Sequence, residues 1–213
     1  MLTLNNFQAL RAGGVCPVFS PVTLEINPGE MIVVTGENGA GKTSLLRALA
    51  GLCPFQGTAN HTSLLPFLFM PAALQFQAFP QTASQGSLSV QAWMSWQNHL
   101  LRPEWRQNYD TAANPHMQSI LHKELCTLSS GWRKRVELLR LDIQKADIWL
   151  LDEPTEFLDQ QAVSLLLHRL VAHMEQRGLV IVATHHEALF RTLATYRLHL
   201  TSPPEGSDGE VCA

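Results

Sequence analysis

Eight consecutive residues, Gly36-Glu37-Asn38-Gly39-Ala40-Gly41-Lys42-Thr43, satisfy G-x-x-x-x-G-K-[ST] at every fixed position. Glycines at these places let backbone N–H groups turn inward around phosphate oxygens. The helix that follows, from Ser44, points its positive end at the same oxygens. The Lys42 ammonium can reach β- and γ-phosphates, and the Thr43 hydroxyl can ligate Mg²⁺. The expectation is a nucleotide site. A plain glycine-rich turn with a surface lysine is the alternative, and the strand before and helix after it weigh against that.

Two carboxylates, Asp152 and Glu153, close the apolar run Ile148-Trp149-Leu150-Leu151. Ligands of open α/β sheets bind at the carboxyl ends of strands, which places Asp152 to hold Mg²⁺ through water. Glu153, on the other side of the strand, is placed to act as general base toward a hydrolytic water. His185 follows the apolar run 179–183 and Thr184. A neutral imidazole there can hydrogen-bond a γ-phosphate or its attacking water; His186 is the alternative beside it. Leu128-Ser129-Ser130-Gly131-Trp132-Arg133-Lys134-Arg135 sets three cations in the first turns of a helix, where the macrodipole disfavours them. A solvated basic face is the ordinary reading. Ser129 and Gly131 at the helix start also form an anion site, with exposed N–H groups and room for close approach.

These side chains need strands and helices to hold them. Residues 2–4 and 22–26 read as short strands, and Asn27-Pro28-Gly29 is turn chemistry. Residues 31–35 are continuously apolar, as in a strand buried on both faces. The helix from Ser44 ends near Gly51 and Pro54. Residues 55–127 lack sustained periodicity apart from a helix over 90–100. Ser129 is a candidate N-cap for a helix running to about Lys145. From Asp159 the residues Val163, Leu166, Leu167, Leu170, Val171 and Met174 form the strongest helical stripe, which Gly178 stops. Strand–loop–helix units around an irregular insert predict an α/β domain with an inserted, more helical lobe.

The chain has 213 residues, is 46% hydrophobic and 15% charged, and carries a net charge of −3, so it can bury a core and is a poor fit to bare nucleic acid. Its four cysteines show no metal spacing and read as reduced cytosolic thiols. The most apolar run, 64–74, is broken by Pro66 and Pro71 and falls short of the roughly 20 residues of a spanning helix. Residues 202–213 lack a core-forming pattern and read as a flexible tail.

The phosphate loop, Leu128-Ser129-Ser130-Gly131, Leu151-Asp152-Glu153-Pro154-Thr155, Leu158-Asp159 and His185, in that order, resemble the ATP-binding-cassette (ABC) ATPases. The resemblance covers residues 2 to about 201. It implies a P-loop NTPase with a RecA-like α/β core, an antiparallel β lobe and an α-helical insert at roughly 75–145, within one domain over 1–201. It also implies hydrolysis of ATP with Mg²⁺ by a homodimer that sandwiches two nucleotides. One subunit contributes Gly36, Glu37, Asn38, Gly39, Ala40, Gly41, Lys42, Thr43 and Ser44, and the other Ser129 and Gly131. Asp159 would lie in the loop that crosses the dimer, and His185, in preference to His186, would touch the γ-phosphate. Three features depart from the family pattern. Trp132 stands where Gln is usual. The glutamine before the insert is Gln75 or Gln77, or is lost at Ala72. No tyrosine sits early enough to stack on adenine, leaving Arg11 as a cation–π substitute.

Within the family, Gly39 to Arg47, Val18-Phe19 to Glu30, Ser130, and Thr184-His185-His186 with Arg197-Leu198-His199-Leu200 are most similar to the haem-exporter ATPases of cytochrome c maturation. That branch implies a peripheral subunit on the cytoplasmic side of the inner membrane, docked on integral membrane subunits. The nine histidines form no haem-ligand motif, so haem handling would fall to those partners. The alternatives are the ATPase of another transporter, or a non-transport cassette, which a single cassette without heptads fits poorly.

Overall fold

The computed structural model describes residues 1–11, 14, 16–62, 67–72, 88–106 and 118–203. In chain order its strands are β1 (Leu2–Ala9), β2 (Val22–Ile26), β3 (Met31–Thr35), β4 (Phe55–His61), β5 (Phe67–Met70), β6 (Ile148–Asp152), β7 (Leu179–Ala183) and β8 (Tyr196–His199). An antiparallel sheet has the order β2-β1-β4, and a parallel sheet has the order β5-β6-β7-β3-β8. Strands β6 and β7 are buried at every position, and β3 at all but Thr35, so up to Asp152 and Thr35 they read as unbroken apolar runs.

Strand β1 runs well past residue 4. Its register slips between Leu4 and Phe7 against β2, and between Asn5 and Gln8 against β4. Asn6 takes φ +47° at that bulge, and the alternation of side chains is lost there. Strand β4 shows no apolar alternation because nearly all of it is exposed.

Helix α1 (Lys42–Leu49) packs Leu45, Leu46 and Leu49 into a core shared with Leu4, Phe7 and Phe19 from the β1 side and with Ile32, Val34, Leu150 and Ile181 from the parallel sheet. Helix α2 (Val90–Leu100) is capped by Ser89, whose hydroxyl accepts the Ala92 N–H at 3.2 Å. The helix expected to reach Lys145 is instead α3 (Ser130–Leu138) followed by α4 (Arg140–Ile143). It stops there because Gln144 turns extended and forms an antiparallel bridge with Arg106.

The chain divides into two compact units, Met1–Ala72 with Asp147–Pro154 and Leu167–Ala213, and Ala73–Ala146 with Thr155–Leu166. The first holds both sheets. The second has its own core of Val90, Trp93, Ile120, Leu125, Leu128, Val136 and Leu139. The tail expected at 202–213 lies, from residue 204 onward, outside the described residues. Cys16 is disulfide-bonded, whereas Cys53 and Cys126 are in no disulfide. The reduced-thiol reading therefore fails at Cys16.

Helix α5 (Gln160–Glu175) ends differently from the glycine stop read in the sequence. Arg177, not Gly178, takes the left-handed turn (φ +66°), and the Gly178 N–H closes onto the His173 carbonyl at 2.8 Å. Gly178 is needed for a different reason: a Cβ there would lie 2.2 Å from Nε2 of His173. The His173 ring stacks on Trp149, with centroids 3.7 Å apart and planes 6° off parallel. Burial holds its pKa down at about 4, against weaker raising contacts from Asp147 and Leu179. The folded chain therefore keeps His173 neutral where the unfolded chain takes a proton. Its contribution is complete above pH 6.5 and is lost as pH falls toward 4. The free energy of unfolding from urea titrations should drop between pH 7 and pH 5 with a slope of up to about 1.4 kcal/mol per pH unit from this residue. His173→Gln should flatten that part of the profile; an unchanged slope would place the titration elsewhere.

Candidate functional site

The loop after β3 is shaped by two glycines, Gly36 and Gly41, that no other residue could replace without a shift. A Cβ on Gly36 would meet the Leu200 carbonyl at 2.8 Å, and one on Gly41 would meet Val18 Cγ1 at 2.7 Å. Gly41, at φ +95°, is the left-handed N-cap of α1. The helical ladder opens with the Leu45 N–H to the Gly41 carbonyl (2.8 Å), so the amides of Lys42, Thr43 and Ser44 precede it at the positive end of the helix. Lys42 is 8% exposed, and its Nζ donates to the carbonyls of Gly36 (2.9 Å) and Glu37 (3.1 Å). Its charge is thus fixed over the loop. The Thr43 hydroxyl donates to Oδ2 of Asp152 at 2.7 Å, across 109 residues of sequence. A hydroxyl beside a carboxylate is the hard-oxygen pair that Mg²⁺ takes next to phosphates, so the residues present fit that ion.

Strand β7 lies between β6 and β3, which brings the ends of all three together. Strand β6 stops at Asp152, and Glu153 turns out of the pleat with φ +42°. A left-handed backbone at a non-glycine residue costs about 1–2 kcal/mol and needs support. Three contacts supply it. The Glu153 N–H donates to the Ala183 carbonyl (2.8 Å), the Thr184 hydroxyl donates to Oε2 (3.0 Å), and the His185 N–H donates to Oε1 (3.0 Å). His185 Nε2 stands 3.6 Å from Oε1. The His186 N–H goes to the Thr184 hydroxyl (3.0 Å) and not to the carboxylate. Glu153, Thr184 and His185 are therefore one cluster. Thr184 was missed as a member; its signal was a polar residue directly after a five-residue apolar strand, where it is 1% exposed.

In the second unit, the Ser129 hydroxyl accepts the Trp132 N–H (3.3 Å) and caps α3. A Cβ on Gly131 would come within 2.9 Å of the Phe157 carbonyl, so the small residue permits that close approach. The three cations are not a solvated face. Arg133 Nε donates to the Leu128 carbonyl (2.9 Å), Lys134 is 1% exposed and pairs with Glu137 at 3.7 Å, and Arg135 bonds Asp159. Burial outweighs Lys134 and Arg140 at Glu137 and raises its pKa.

A family model described as "ABC transporter" matches residues 19–156, more than half of the chain. The chain belongs to the ABC transporter family. This ABC cassette is an ATP-binding subunit and an ATP hydrolase. Among its relatives, the cytochrome c biogenesis ATP-binding export protein CcmA of Pseudomonas savastanoi is 36% identical, over 84% of this chain and 86% of its own. The CcmA of Cupriavidus necator is 34% identical over 95% and 89%, and that of Rhodopseudomonas palustris 33% over 86% and 91%. Two solved structures share the fold. The dimeric post-hydrolysis cassette MJ0796 bound to ADP and Pi has a TM-score of 0.71 and 19% identity, covering 94% of both chains. A putative ABC transporter ATP-binding protein from Pyrococcus furiosus has 0.70 and 21%, covering 95% of this chain and 99% of that one. Among the described residues of the cassette, no helix is long and apolar enough to cross a membrane.

The ABC cassette thus joins the loop 36–44, Asp152, Glu153 and His185 at one sheet end, while Ser129 and Gly131 lie in the second unit. Gln75 and Gln77 are outside the described residues; Ala72 is half-buried just past β5. Arg11 is exposed, and its backbone closes a turn with Gly14 and Cys16.

Proposed function

We propose that this cassette is the ATPase of a haem-exporter-type complex acting in c-type cytochrome biogenesis. The observation that carries the reading is the likeness to relatives named CcmA, which extends over most of their length as well as most of this chain. The cassette spans 1–201, with its helical insert at roughly 75–145. It works as a homodimer on the cytoplasmic side of the inner membrane, peripheral to integral membrane subunits.

In the proposed mechanism the amides of 36–44 cradle the phosphates, and Lys42 leaves its carbonyl partners for the β- and γ-oxygens. Thr43 and Asp152 hold Mg²⁺, which when bound neutralises phosphate charge. Water attacks the γ-phosphorus and passes its proton to Glu153 as the bond to ADP breaks. Thr184 and the His185 N–H fix that carboxylate, and the His185 ring is aimed at the same oxygen, which supports His185 over His186. Ser129 and Gly131 face the nucleotide of the second copy, where the start of α3 suits an anion.

Deleting the gene from its host should abolish haem-staining c-type cytochromes, with wild-type protein but not Lys42→Ala restoring them. Normal c-type cytochromes in the deletion strain would reject the haem-exporter reading and leave the ATPase reading intact.

A further inference from the structure

Asp159 divides its carboxylate between two partners. Oδ1 accepts the Ala162 N–H at 2.9 Å and so caps α5, while Oδ2 takes the Arg135 guanidinium. Arg135 lies over the Trp132 ring, with Cζ 4.9 Å from the centroid, within the range of a cation–π contact. The two residues are three apart on α3 and share a face. The indole packs against the core of its unit and is a fixed platform. The Arg135 side chain is 27% exposed and, without that platform, would be free to sample other rotamers. A second contact joins the same segments: the Phe157 carbonyl against Gly131, with Phe157 at φ +63°.

We infer that Trp132 is a positioning residue, whose ring face holds Arg135 on Asp159 so that the Ser129–Gly131 turn and the loop 157–159 act as one rigid piece. Its consequence for hydrolysis rests on the dimer proposed above; its geometry does not. Trp132 therefore matters for its ring face, and replacing it by the glutamine common in the family is expected to weaken the site.

Trp132→Leu keeps apolar bulk and loses the ring. ATP-dependent dimerisation and kcat should fall about two- to five-fold, the size of a cation–π contact at an exposed site, with KM unchanged. Trp132→Phe should restore most of the loss. Arg135→Gln, which leaves the indole packing in place, should reproduce it. In an Asp159→Asn background, Trp132→Leu should cost nothing further, because the path to Asp159 is already cut. A readout free of nucleotide is the heteronuclear NOE of the Arg135 Nε–H, which should drop in Trp132→Leu to the value of a loose surface arginine. An unchanged NOE, or Leu and Asn losses that multiply, would overturn the inference. If wild type does not dimerise with ATP, the dimer reading fails and the NOE alone decides the role of Trp132.

Discussion

Lys42→Ala should abolish ATP turnover and weaken ATP binding by roughly 10- to 100-fold, the loss expected when a charged hydrogen-bond donor is removed. In the structure the ammonium is nearly buried and spans the carbonyls of Gly36 and Glu37, so its removal also unties the loop that positions the phosphate-binding amides. Lys42→Arg should fail as well, because a planar fork cannot replace a compact point charge in a loop this tightly packed around Gly36 and Gly41. Phosphate release and the fluorescence of a bound ATP analogue separate the two losses. Near-normal turnover in either variant would mean that the loop does not carry the γ-phosphate chemistry.

The phosphate loop was legible because its chemistry is contiguous: the glycines, the lysine and the hydroxyl lie within eight residues, between a buried strand and a helix. The buried strands β3, β6 and β7 were legible for the same local reason, as apolar runs of four or five residues. What stayed hidden depends on distant partners. The sequence pattern cannot show that Thr184 and the His185 N–H both hold Glu153, a contact 31 or 32 residues apart that lets the carboxylate leave the pleat. Nor can it show why three cations tolerate the start of α3, since one of their partners, Asp159, is 24 residues away. Strand β4 was invisible because it is exposed and polar, and β1 was legible only over 2–4 because a bulge at Asn6 breaks its alternation. At Gly178 the residue type pointed to a left-handed turn, but packing against His173 is what requires it. The family resemblance implied roles for Ser129 and Gly131, where the residues alone left an anion site beside a solvated basic face.

Glu153→Gln isolates the proton transfer from the binding. The amide oxygen can keep the His185 N–H, and the Thr184 hydroxyl can rotate to accept from the new NH₂, so the turn at φ +42° should persist. The proton acceptor is lost, and loss of a general base typically slows a reaction by about 10²–10⁴. Lys42, Thr43 and Asp152 remain, so MgATP should still bind. The decisive measurement is the mass of purified Glu153→Gln protein by size exclusion with light scattering, with and without saturating MgATP, alongside its rate of phosphate release. The account predicts a stable ATP-dependent dimer that releases phosphate at least about 100-fold more slowly than wild type. A variant that turns over ATP at the wild-type rate, or that binds MgATP and stays monomeric, would contradict it.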